Sequence, residues 1–236
     1  MIIFICAASR RLRGVTIDGQ EAEAGTRHRG RPRLLDPVTE RKLILDATIT
    51  VLGRTSFDRA TLDEILAEAG VGTRAFYRNF TSKAEVLDAL RDEEERRLAA
   101  RLDGIAAAAG SPRAALEACV SDLLAIAYDP RRAARATMLG HHGMVDVAAS
   151  RAARRARLRT LAPPLARVLA AGQAAGDFPL TDPERDARTI WILLFSVIED
   201  ARCGEDLPPL EEARAHVLRF TLGALGPQGA MGARRP

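Results

Sequence analysis

The chain has 236 residues, with 35 Lys+Arg against 31 Asp+Glu, 47% hydrophobic and 4% aromatic residues, and three cysteines. That length supports one or two domains with a real core, and 28% charged residues beside near-average apolar content exclude a disordered chain. The longest apolar run, 190–197 interrupted by Ser196, falls far short of the roughly 20 residues of a membrane span, and Cys6, Cys119 and Cys203 are too few and too far apart for a disulfide framework or a Cys-based zinc site, so a reducing, cytoplasmic setting is expected.

Lys42 and Lys83 are the only lysines, alanine is abundant, and no alternating run of strand length is bounded by turn residues. Strands favour β-branched and aromatic side chains; Ala, Leu, Arg and Glu favour helices. The fold class expected is all-α.

Residues 1–35 lack sustained periodicity and are expected to form a disordered basic arm or extension. MIIFICAA has no basic residue before it and several after it, the wrong order for a secretory signal; it reads equally as a non-native upstream extension, with Val15 as an alternative start. Arg27–Arg33 holds four arginines and no acid. Arg29, Arg31 and Arg33 suit a minor-groove arm, and a merely solubilising tail suits them equally.

Asp36-Pro37 reads as an N-cap followed by proline at the first helical position, and opens a helix ending near Gly53. Thr61-Leu62-Asp63-Glu64 is a capping box opening a short helix that halts at Gly70. A second short helix follows from Gly72 to about Phe80, and Ser82-Lys83-Ala84-Glu85 reads as another capping box. Later starts stand at Ser111-Pro112, Asp129-Pro130 and Thr181-Asp182-Pro183-Glu184; Pro163-Pro164 is expected to break or kink the segment between 145 and 175. The last helix is expected from about Pro209 to 223–226, with a frayed tail at 227–236.

Residues 61–80 have helix-turn-helix spacing, with glycine where the break needs an unusual backbone angle. Ile65, Ala69, Val71, Phe76 and Phe80 can face inward, which leaves Thr73, Arg74, Tyr77 and Arg78 outward. From Val71 to Lys83 there are three cations and no acid, a face suited to the major groove. Lys83, in the first turn of its helix, opposes the macrodipole and is expected to serve an external anion; Thr61 stands at another helix N-terminus.

Residues 38–87 thereby resemble the DNA-binding domain of the tetracycline-repressor-like (TetR) family of bacterial transcription regulators. The resemblance is carried by Ile44-Leu45-Asp46-Ala47, by the run from Phe57 to Ile65, by Ala69-Gly70-Val71-Gly72-Thr73-Arg74-Ala75-Phe76-Tyr77-Arg78-Asn79-Phe80, and by Ser82-Lys83-Ala84-Glu85-Val86-Leu87. It implies that Thr61, Tyr77 and Lys83 contact phosphate, that Thr73 and Arg74 approach bases with Gly72 and Ala75 beside them, and that Phe76 and Phe80 are core. Gly72 stands where the family often has a capping Ser or Thr, and Asn79 replaces a frequent His.

The expected organisation is a three-helix DNA-binding domain over 36–98 and a helical ligand-binding and dimerisation domain over 99–226. The segment 186–200 is apolar nearly all round and must be buried on two sides. With the last helix it resembles the family's dimer interface, for which Trp191, Leu194, Phe195, Ile198, Val217 and Phe220 are the candidates. Trp191, Met138 and Cys119 are candidates for an effector pocket, with core packing as the default. Arg151, Arg154, Arg155, Arg157 and Arg159 read as a solvated or salt-bridged face, and Glu93-Glu94-Glu95 as a solvated one. His141-His142 point to different faces of a helix and form no metal pair.

The function expected is a sequence-specific DNA-binding transcription regulator, a ligand-responsive repressor acting as a homodimer on a pseudo-palindromic operator. Its partners would be double-stranded DNA, a second copy and a small-molecule effector, with no membrane, cofactor or metal. A helical enzyme finds no catalytic arrangement in the sequence. The remaining alternative is a helical interaction module or small-molecule-binding protein that does not bind DNA.

Overall fold

The computed structural model describes residues 36–139, 147–203 and 206–226; among them there are nine helices and no strand. The arm at Arg29, Arg31 and Arg33, His141-His142 and the tail at 227–236 lie outside the described residues.

Helix α1 (Pro37–Leu52) starts because Asp36 accepts hydrogen bonds from the Val38 and Thr39 N–H groups at 3.0 Å, with Pro37 supplying a preset φ. Its buried positions, Glu40, Ile44, Ala47, Thr48, Val51 and Leu52, repeat every three or four residues and form one stripe. Helix α2 (Leu62–Ala69) opens on the reciprocal Thr61–Glu64 capping box and ends at Gly70, whose φ of +65° is the left-handed conformation that only glycine adopts without strain. Helix α3 is Thr73–Asn79 and helix α4 is Lys83–Ala108. The box at the start of α4 is only half formed: Ser82 caps Glu85, but the Glu85 carboxylate accepts from the Thr81 N–H and hydroxyl at 2.6 and 2.7 Å, one residue upstream of the cap.

Helices α5 (Pro112–Tyr128) and α6 (Pro130–Met138) each begin with a side-chain cap and proline at the first turn; α7 (Val147–Ala175), α8 (Pro183–Cys203) and α9 (Leu210–Leu225) complete the set. Pro163-Pro164 do not break α7. Proline in a helix interior costs about 3 kcal/mol, but Leu161, Ala162, Leu165 and Ala166 are buried around the pair, and the Trp191 indole donates to the Leu161 carbonyl at 2.6 Å. Tertiary packing outweighs the lost backbone bonds.

Two apolar cores result. The first gathers Ile44, Val51, Ile65, Phe76, Phe80, Val86, Leu87 and Leu90 from α1 to the first half of α4. The second gathers Leu102 of α4 with residues of α5, α7, α8 and α9. Helix α4 runs through both. Leu139, just after α6, is buried in the first core, and its carbonyl accepts from Arg91 Nε at 2.7 Å.

At the end of α7 the chain reverses at Gly176 (φ +83°), and Phe178 folds back onto Gly172. A Cβ at 172 would stand 2.1 Å from Phe178 Cδ2. Gly172→Ala is therefore expected to lower stability by about 1–3 kcal/mol through overpacking, although alanine is the better helix former. A leftward move of the urea midpoint at unchanged slope checks it; an unmoved midpoint would show that the Phe178 ring yields freely.

Candidate nucleic-acid interface

Helix α3 is held from behind. Phe76 and Phe80 are fully buried, 5.9 Å apart by ring centroids, and Tyr77 meets the edge of Phe76 at 5.4 Å while remaining 59% exposed. Thr73, Arg74 and Tyr77 lie exposed on its outer side, and Arg74 makes no ion pair or hydrogen bond with any described residue. Gly72 caps the helix with no side-chain bond, so the first N–H groups of α3 stay open. Ala75 is half-buried beneath this face.

Arg78, also exposed, is ion-paired. Its Nε and Nη2 donate to the two carboxylate oxygens of Glu40 at 3.2 and 2.5 Å, and Asn79 Nδ2 donates to the same carboxylate at 3.2 Å. Glu40 is only 4% exposed. A buried carboxylate needs such donors to offset its lost hydration, so Arg78 ties α3 to α1 while its side chain stays 39% exposed. The sequence carried a signal for this: Glu40 lies four residues before Ile44, on the apolar stripe of α1.

Lys83 is likewise engaged. Its Nζ donates to the carbonyls of Phe57 and Ala60, both at 2.7 Å, and lies 4.4 Å from the Phe57 ring centroid. In the free protein this cation braces the loop before α2, which answers the unfavourable charge at the N-terminus of α4; the expectation that an external anion claims it is corrected to that extent. Thr61 spends its N–H and hydroxyl proton on Glu64, at 2.8 and 2.9 Å, and the Thr61 N–H and hydroxyl hold the Glu64 carboxyl below its ordinary range. Of the outward cations expected between 71 and 83, Arg74 is the one left uncommitted.

A cavity of about 560 Å³ lies between α4, α6, α7 and α8. Trp191 lines it, as do Phe195 and Arg157; Cys119 and Met138 do not. Cys119 is fully buried in the second core, its Sγ 3.7 Å from the Leu102 carbonyl, and burial pushes its thiol up to about 11. Met138 packs against the first core. The acidic run 93–95 is not a solvated face: Glu94 accepts from Arg135 at 2.6 and 2.9 Å, and Glu95 from Arg157 at 3.0 Å. The Arg135 bonds hold the Glu94 carboxyl below its ordinary range, whereas burial holds Glu95 above it.

The proposed dimer residues divide in the same way. Trp191, Leu194, Ile198 and Val217 are buried within their own chain, so these four present nothing to a partner, and Phe195 is half-buried and lines the cavity. Phe220 stays exposed at 61%, and on α8 the exposed large apolar side chain is Ile192 at 48%. Among the described residues no helix is long and apolar enough to cross a membrane, and no cluster of three metal-ligating side chains occurs.

Residues 44–90 match the profile described as bacterial regulatory proteins, tetR family. A transcriptional regulator of the TetR/AcrR family from Thermobifida fusca superposes with a TM-score of 0.55 at 23% identity, over 83% of this chain and 98% of that one. RolR in complex with resorcinol does so with a TM-score of 0.60 at 18% identity, over 85% and 96%. FadR from Bacillus subtilis in complex with stearoyl-CoA gives a TM-score of 0.59 at 18% identity, over 78% and 98%. At these identities the likeness is one of fold. No curated protein matches the sequence.

Proposed function

Because the chain belongs to the tetR family of bacterial regulatory proteins and has the fold of a DNA-binding transcription regulator, we propose that it is a ligand-responsive repressor that binds a pseudo-palindromic operator as a homodimer. The observation that carries this reading is the outer face of α3. Thr73, Arg74 and Tyr77 are exposed while Phe76 and Phe80 lock the opposite face into the core. A rigid helix with a free guanidinium and hydroxyls suits base edges and phosphates of the major groove.

Two copies would place two such helices one helical turn of DNA apart, about 34–36 Å, so the operator should show two-fold symmetry. Selection of bound fragments from random duplex DNA tests this. A recovered inverted repeat supports the reading, and failure to enrich any sequence at low ionic strength refutes it in favour of a module that does not bind DNA. Arg74→Ala should weaken specific binding by about 1–3 kcal/mol and relax the preference at one position per half-site. An equal loss on all sequences would show that Arg74 touches only the backbone.

Release by a small molecule is supported by the cavity and by the ligands held in the RolR and FadR structures. Arg135 and Ala136 of α6 line the cavity, and Leu139 at the end of α6 lies in the core that holds α3. A ligand acts only through its preference between conformations. It would release DNA by favouring a position of α6 and α4 in which the two reading helices no longer fit the groove spacing.

A further inference from the structure

The cavity between α4, α6, α7 and α8 is lined by charges of both signs. Six arginines and three glutamates line it. Asp122 adds a fourth carboxylate by pairing with Arg101 and Arg132. Asp88 and Glu93 pair with Arg91 and Arg97 at its more open rim. Six carboxylates thus stand against the six arginines, and the cavity is close to charge-balanced.

Within it, one cation stands apart. Arg157 donates to Glu95 only through Nε, and its two terminal amino groups make no hydrogen bond to a described residue. Its guanidinium lies 5.3 Å from the Phe195 ring centroid, and Phe195 in turn lies 5.3 Å from Trp191. The result is an aromatic shelf, closed at one end by a planar pair of unused donors. Burial raises the Glu95 carboxyl above its ordinary range, and the Arg157 bond opposes that shift. A guanidinium with two free parallel N–H groups fits a carboxylate or sulfonate bidentately.

Resting on the reading of this cavity as the effector site, we propose that its ligand class is a compact apolar molecule bearing one anionic head, the body lying on Phe195, which Trp191 backs from the core, and the head on Arg157. At about 560 Å³ the site falls within the range of small-molecule pockets, and an anionic head gains charge assistance from the unpaired donors that a neutral or cationic molecule of the same shape lacks.

The test uses three fluorescent probes on the full chain: 1-anilinonaphthalene-8-sulfonate, the uncharged N-phenyl-1-naphthylamine with the same ring system, and the cation thioflavin T. The sulfonate is expected to bind most tightly, with an affinity that falls as salt rises while that of the uncharged probe does not. Arg157→Gln should weaken the sulfonate about tenfold, the scale of one charge-assisted bidentate contact, and leave the uncharged probe within about threefold. Arg157→Lys, which keeps the charge but not the fork, should fall between Arg157→Gln and the unsubstituted protein, and Arg113→Gln, at an exposed pair on α5, should change nothing. The proposal is overturned if the uncharged or cationic probe binds as tightly as the sulfonate, if the sulfonate shows no salt dependence, or if Arg157→Gln leaves it unchanged. These titrations contain no DNA, so their failure leaves the operator reading standing, and a failed DNA selection leaves the ligand class standing.

Discussion

Phe220→Glu is expected to convert the protein to a monomer and to remove nearly all specific operator binding. Phe220 is 61% exposed on α9, so the change costs its own chain no core contact. In a two-fold interface the same residue appears on both sides, and the substitution would bring two carboxylates into a surface with little water to hydrate them. Gly223 and Ala224, exposed one turn further on, are small enough for close approach of a partner helix, as is Ser196 one turn beyond Ile192 on α8. Without the dimer each reading helix binds alone, and the lost effective concentration is worth about 10²–10⁴ in affinity. Sedimentation equilibrium and a binding titration on the selected operator check both halves of the expectation. An intact dimer would move the interface off this face. Phe195, which the sequence placed on the interface, serves as the internal contrast: its substitution should leave the dimer whole and alter the cavity.

The features legible in the sequence are those whose physics is local. Asp36-Pro37, the Thr61–Glu64 box, Gly70 and Ser111-Pro112 each satisfy backbone groups within four residues, so their spacing alone announces them. The inward set around Phe76 and Phe80 follows from helical period in the same way. Pairings between helices do not. Lys83 meets carbonyls 23 and 26 residues away, Arg135 meets Glu94 across 41 and Arg157 meets Glu95 across 62. No spacing rule connects such residues, so basic and acidic runs that look solvated one helix at a time become partners once the helices pack. Helix α8 shows a related limit. Its apolar residues surround the whole axis, which says that two sides are buried but not which side meets its own core. Burial of Trp191, Leu194 and Ile198 in the single chain answers that, and leaves Ile192 facing out.

Arg78 provides the second large effect, because its removal strands a charge. With Arg78→Ala the Glu40 carboxylate keeps only the Asn79 amide as a side-chain donor while remaining almost wholly out of water. Breaking a buried ion pair from one side costs about 3–5 kcal/mol; the Arg78 side chain is 39% exposed, so water can reach part of the vacated space and a loss of about 2–3 kcal/mol is the better expectation. For a chain of this size that lowers Tm by about 5–10 °C. Replacing both residues with leucine should recover most of the loss, since an apolar pair of similar volume needs no donors. The same variant separates positioning from contact. If Arg78 only holds α3 against α1, Arg78→Ala weakens operator binding while the slope of affinity against salt stays fixed. If it leaves Glu40 to neutralise a phosphate in the complex, the slope drops by about one. An unchanged Tm together with that drop would place Arg78 on the DNA and leave Glu40 without the role assigned to it.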